Sequence, residues 1–88
     1  MILQATVRIK GRSYDLSLDT DKTDRNYADE NYAEWYVTCA DGRILEITVW
    51  KDGIGRFTRD CVVEAYRNKG DFEDGKLLDV KRIKAKMT

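Results

Sequence analysis

Residues 33 to 50 read AEWYVTCADGRILEITVW, two apolar-rich arms on either side of Asp41-Gly42. Asp-Gly is favoured in two-residue hairpin turns, where both central residues take positive φ, so the arms read as paired antiparallel strands. A two-residue turn at that dipeptide places Tyr36, Thr38, Leu45, Ile47 and Val49 on one face of the ribbon. Trp35, Val37, Cys39, Ile44, Glu46, Thr48 and Trp50 then share the other. Both faces are rich in apolar groups. Either the ribbon is covered on both sides, or one face is core and the other shows two tryptophans to solvent.

Working outward, Leu3, Ala5, Val7 and Ile9 share a face by period-two alternation, and Tyr14, Leu16 and Leu18 repeat it after Gly11-Arg12. A loop of those two residues sets Ile9 opposite Tyr14, Val7 opposite Leu16 and Ala5 opposite Leu18, with Arg8 meeting Asp15 and Thr6 meeting Ser17 behind. Beyond the central ribbon, Asp52-Gly53 marks another turn and GRFTR at 55 to 59 a third strand. Residues 60 to 69 suit a short helix with Asp60 as N-cap, Arg67 and Lys69 in the last turn and Gly70 at the C-cap, although Val62-Val63 suits a strand equally. The alternation of Leu78 and Val80, which slips and resumes at Ile83, Ala85 and Met87, predicts a bulged strand. The expected class is mostly β: a small antiparallel, partly open barrel or strongly curved sheet, with one short helix possible at 60 to 69.

Eighty-eight residues make one domain around a single modest core. No run of about 18 apolar residues is present to span a bilayer, and no secretion signal opens the chain, so a cytoplasmic setting without membrane attachment is expected. Cys39 and Cys61 lack the paired spacing of a zinc site, the chain has no histidine, and two free thiols are expected rather than a disulfide. Without histidine the usual general base is missing, and no phosphate loop or nucleophile-base pair replaces it. A non-enzymatic chain with no cofactor and no metal is expected.

Net charge is zero, yet the charges are segregated. Residues 15 to 46 carry nine acids against Lys22, Arg25 and Arg43, while the segments on either side are basic. The stretch DTDKTDRNYADE at 19 to 30 puts Asp19, Asp21, Thr23 and Glu30 where a calcium loop has oxygen ligands, but Asp24 stands where that loop needs glycine and a strand precedes it. Metal binding is therefore not expected there. Asp19, Asp21, Asp24, Asp29, Glu30 and Glu34 form instead either a solvated loop or an acidic strip suited to a basic protein surface. Size and dipolar charge resemble those of phage-encoded anti-defence inhibitors of the anti-CRISPR kind, which implies a small inhibitor or adaptor.

A second set points elsewhere. Trp35, Trp50 and Phe57 lie among Arg43, Lys51, Arg56 and Arg59, the ingredients of a platform on which bases stack while cations follow phosphates. The same rings suit a core. Lys81, Arg82, Lys84 and Lys86 near the carboxyl end read as a solvated edge. Finally, VVEAYRNKGDFEDGKLLDVKRI at 62 to 83 resembles the closing hairpin of OB-fold proteins of the bacterial single-stranded-DNA-binding type, with Ala65 where that family has glycine. The resemblance implies a five-stranded partly open barrel that binds single-stranded nucleic acid, Trp35 and Trp50 stacking on bases, Arg43 and Arg56 at phosphates. Single-stranded nucleic-acid binding is the first functional expectation, and the grip on a basic protein surface is its rival.

Overall fold

The computed structural model describes all 88 residues. Strands β1 (Ile2–Ile9) and β2 (Arg12–Asp19) form the first hairpin. Its turn is Lys10-Gly11, with φ of 47° and 81°, the left-handed pair that a two-residue turn of this twist requires. The expected loop at Gly11-Arg12 is thereby corrected. Val7 stands opposite Tyr14, Ala5 opposite Leu16 and Leu3 opposite Leu18, while Arg8 meets Ser13 rather than Asp15. Both registers keep the same residues on the apolar face, so hydrophobicity does not choose between them. Local polar contacts favour the observed one: the Thr6 hydroxyl donates to Asp15 at 2.9 Å.

The central ribbon, β4 (Tyr32–Thr38) and β5 (Ile44–Lys51), departs further from expectation. The Cys39 amide donates to the Arg43 carbonyl, the Gly42 amide donates to the Cys39 carbonyl, and only Gly42, at φ 89°, is left-handed. This is a three-residue loop, a tight turn followed by a glycine bulge. Its odd length slips the register by one residue. Trp35 now lies opposite Ile47, Val37 opposite Leu45 and Ala33 opposite Val49. One face is uniformly apolar; the other carries Tyr32, Glu34, Tyr36 and Thr38 against Ile44, Glu46, Thr48 and Trp50. The predicted common face for Trp35 and Trp50 is therefore overturned. Burying an indole of about 200 Å² yields roughly 5 kcal/mol, and the alternative register would also sink Glu46 into the core.

Residues 57 to 66 are strand, not helix: β6 (Phe57–Tyr66) pairs with β5 on one side and β7 (Leu77–Lys84) on the other. The helical capping signals lose because Cys61, Val63 and Ala65 alternate into the core while both sets of backbone groups join ladders. A helix does form, later, as α1 (Lys69–Glu73), with the Asn68 side chain accepting from the Asp71 amide. The last strand is irregular, but at Leu78 and not between Val80 and Ile83 as expected: the pairing shifts between Ala65 opposite Asp79 and Tyr66 opposite Leu77, so Leu78 packs on the core and Val80 faces out. After Ala85 the chain adds β8 (Lys86–Met87) to β1.

The fold is mostly β, with two curved antiparallel sheets ordered β2-β1-β8 and β3-β4-β5-β6-β7, where β3 is Tyr27–Ala28, and no closed barrel. Leu3, Val7, Ile9, Leu16 and Leu18 from the first sheet pack on Trp35, Leu45, Ile47, Val49 and Val63 from the second. The hairpin tips are clasped together. Asp41 accepts from Tyr14 Oη at 2.5 Å and Arg12 Nη1 at 2.7 Å, and Arg43 donates to the Ile9 carbonyl at 3.0 Å. The Tyr14 hydroxyl, the Arg43 amide and Arg12 hold the Asp41 carboxyl well below the usual carboxylate range. Both cysteines are free thiols, and no helix is long and apolar enough to cross a membrane.

The first turn makes a measurable statement. Gly11→Ala should destabilise the domain by about 1 kcal/mol, because alanine is strained at this φ. Lys10→Asn should stabilise it by about 0.5 kcal/mol, since asparagine tolerates the left-handed region. Urea unfolding of both variants measures the two shifts.

Candidate functional site

Trp35 is fully enclosed, and its environment answers what the 19 to 30 stretch does locally. Its Nε1 donates to the Thr23 carbonyl at 3.2 Å, and the Arg25 guanidinium lies 6.0 Å from its ring centroid. The loop after β2 is a cap over an indole. Trp35 therefore cannot stack on a base, whereas Trp50, on the opposite face, is 38% exposed.

The basic candidates do not converge around Trp50 as a phosphate track. Arg43 is committed to the hairpin clasp, Arg56 pairs with Asp52 at 3.0 Å, and Arg59 donates to the Ala85 carbonyl at 3.0 Å. Lys51 donates to the Asp29 carbonyl at 2.7 Å and covers the Phe57 ring. These cations hold loops and strand junctions together.

The acidic strip is likewise dispersed. Asp19 accepts from the amides of Asp21 and Lys22, and Asp21 pairs with the Met1 amino group. Asp29 accepts from the amides of Asn31 and Tyr32 and from the Tyr27 hydroxyl, which keeps its carboxyl ionised below the usual range. Asp24 and Glu30 are exposed on the loop. Of the six, only Glu34 points from a central strand of the larger sheet, and it belongs to a different constellation.

That constellation is the outer face of the five-stranded sheet. Glu46 and Glu64 stand directly opposite each other across β5 and β6; Glu34, opposite Thr48, is the diagonal neighbour of Glu46. None of the three has an ion-pair partner within 4.0 Å. Asn26 Nδ2 donates to Glu46 at 3.3 Å, and the Tyr66 hydroxyl donates to Glu64 at 3.5 Å. Partial burial, reinforced by the negative charges of Glu34 and Glu64, pushes the Glu46 pKa up. Burial does the same for Glu34, with Glu64 and Asp29 adding to it.

Aromatic rings frame these carboxylates at both ends. Tyr27, Tyr32 and Trp50 pack in sequence at centroid distances of 5.2 Å on one side, the second pair edge-to-face. On the other, Phe72 of α1 packs 5.4 Å from Tyr36 and 5.0 Å from Tyr66. Tyr36 is half exposed, and Val80 and Leu77 extend the apolar border. Glu46, Glu64, Tyr32 and Tyr36 escape notice as a set in the sequence because they come from three strands that meet only in the folded sheet. The signal that could have found them is parity: with Ala33, Trp35 and Val37 facing in, every even position of β4 must face out.

Two measurements check this geometry. With Trp50→Phe, the remaining Trp35 should emit at short wavelength and resist acrylamide; with Trp35→Phe, Trp50 should emit further to the red and be quenched. For the carboxylates, the raised pKa values of Glu34 and Glu46 mean that the folded state holds their protons more tightly than the unfolded chain. Stability is then fullest below the ordinary glutamate range and declines as pH rises through that range to the raised folded values. Glu46→Gln should raise the thermal midpoint at pH ~7 and give no gain at pH ~3.5.

Comparison of the chain with protein-family models, with curated proteins and with solved structures finds no match, so the functional reading rests on the chemistry of this face.

Proposed function

We propose that this protein is a non-enzymatic binding module that takes the basic surface of another protein onto the outer face of its five-stranded sheet, as a small inhibitor or adaptor does. The observation that carries this reading is the set of Glu34, Glu46 and Glu64, without cationic partners and bordered by exposed aromatic rings. An arginine entering such a face pairs its planar fork with carboxylates while its flat side lies on an aromatic ring. A cation from the partner would also offset the mutual repulsion and the desolvation that raise the Glu34 and Glu46 pKa values. Aromatic anchors beside desolvated charge are the usual makings of a binding hot spot.

The single-stranded nucleic-acid reading is supported less. It keeps one accessible indole, Trp50, with Arg82 and Lys84 lining a depression beside it. Lys84 is paired with Asp60, however, and three glutamates on the same face repel phosphates.

Trp50 fluorescence separates the two. A short poly-arginine peptide should quench it with an affinity that falls at high salt, and oligothymidylate should leave it unchanged at low salt. Replacing Glu34, Glu46 and Glu64 together by glutamine should weaken peptide binding at least tenfold, because each hydrogen bond to a charged group contributes about 1.5 kcal/mol or more. Asp24→Asn with Glu30→Gln on the loop should leave it unchanged. Quenching by the oligonucleotide alone would replace this reading with the nucleic-acid one.

A further inference from the structure

The two sheets are joined on one side, where β7 passes through Ala85 into β8, and on the other are bridged at the hairpin tips by the Asp41 clasp to Tyr14 and Arg12. On that side the free edge of β2 and the free part of β4 border a groove of about 410 Å³, lined by residues 13 to 17 and 37 to 40. The hydrogen-bond parity of each strand decides what these edges offer. In a two-residue hairpin the turn-closing pair, here Ile9 and Arg12, bonds inward. Arg12, Tyr14 and Leu16 therefore direct their backbone groups toward β1, and those of Ser13, Asp15 and Ser17 point into the groove. On β4, the bonds of Asn31 to Lys51 and of Cys39 to Arg43 turn the odd residues toward β5. Of the even residues, Tyr32 and Glu34 bond to the segment around β3, which leaves Tyr36 and Thr38 with outward backbone groups and no backbone partner.

Natural sheets blunt such edges with lysine, proline or a bulge. The eight residues of β2 include no lysine or proline, and its pairing with β1 is unbroken. Two unpaired edges that border one groove offer an extended chain backbone partners on either side. The side chains around the groove specify what kind of chain. Leu16, Val37 and Cys39, buried or half-buried beneath it, form an apolar floor. Asp15, exposed on the β2 wall, and Glu34 and Glu46 beyond the β4 wall make the outer side acidic.

We infer that this groove receives an extended segment of the protein partner as an added strand between β2 and β4, apolar side chains facing inward and basic ones outward. This rests on the reading of the chain as a module for a basic protein, and it adds a backbone-mediated site next to the carboxylate face. Affinity comes from main-chain hydrogen bonds, selectivity from the alternation.

The test uses a capped peptide of alternating valine and lysine, with the same peptide N-methylated at alternate residues as its control. The first should slow amide exchange at Ser13, Asp15, Ser17, Tyr36 and Thr38 at least tenfold, and should slow alkylation of the half-buried Cys39. The N-methylated peptide, lacking half its donors, should do neither. Trp50 fluorescence, followed alongside, reports the outer face independently. Groove protection without any response to poly-arginine at Trp50 would support the strand site and sink the carboxylate reading. A response at Trp50 with no protection at the five amides overturns the strand site and leaves the carboxylate reading intact; silence at both overturns both. Protection that rises with protein concentration in the absence of peptide makes a second copy of this chain the occupant and overturns the inference.

Discussion

The constraint on which the rest depends is the odd length of the loop between β4 and β5. Side chains alternate with a period of two, so one residue more or less in a hairpin loop sends the whole of one strand to the other face. With Gly42 left-handed and a three-residue loop, Ala33, Trp35 and Val37 join Leu45, Ile47 and Val49 inside. Everything else on that ribbon must then face out. The buried indole and the acidic outer face are two consequences of a single slip.

Further interactions hold that choice in place. The loop after β2 closes over Trp35 through the Thr23 carbonyl and Arg25, so a segment read for its charge serves first as a lid on the largest core side chain. At the hairpin tips, Asp41 ties Tyr14 and Arg12 of the first sheet to the turn of the second. Asp41 and Glu46 are opposed in their electrostatics. Hydrogen bonds depress the first carboxyl, so its contribution to stability is present above the ordinary carboxylate range and fades as pH falls; burial beside like charge raises the second, so its effect has the opposite sign.

This contrast separates carboxylates that build the fold from those that burden it. Asp19, Asp29, Asp41 and Asp52 all accept backbone amides in turns and have a local structural role. Glu34, Glu46 and Glu64 cap nothing and pair with no cation, and they stand opposite or diagonal to one another across the strands, where like charges repel. Three such groups between two clusters of aromatic rings are the ground of the proposal that an external cation completes the set.

Alternation and turn residues in the sequence were enough to determine a mostly β class, the apolar face of the first hairpin, a strand through 57 to 59, and a bulged last strand though not where its bulge falls, because these depend on near neighbours along the chain. The same local signals misplaced the helix, which begins at Lys69 because β6 is claimed by ladders on both sides. They also paired Trp35 with Trp50, since Asp41-Gly42 suits a two-residue loop as well as the three-residue loop that formed. Only the tertiary structure decided which tryptophan is sealed, which glutamates meet, and which edges border one groove, because each depends on packing and pairing between segments far apart in the chain, where burial energies outweigh turn preference.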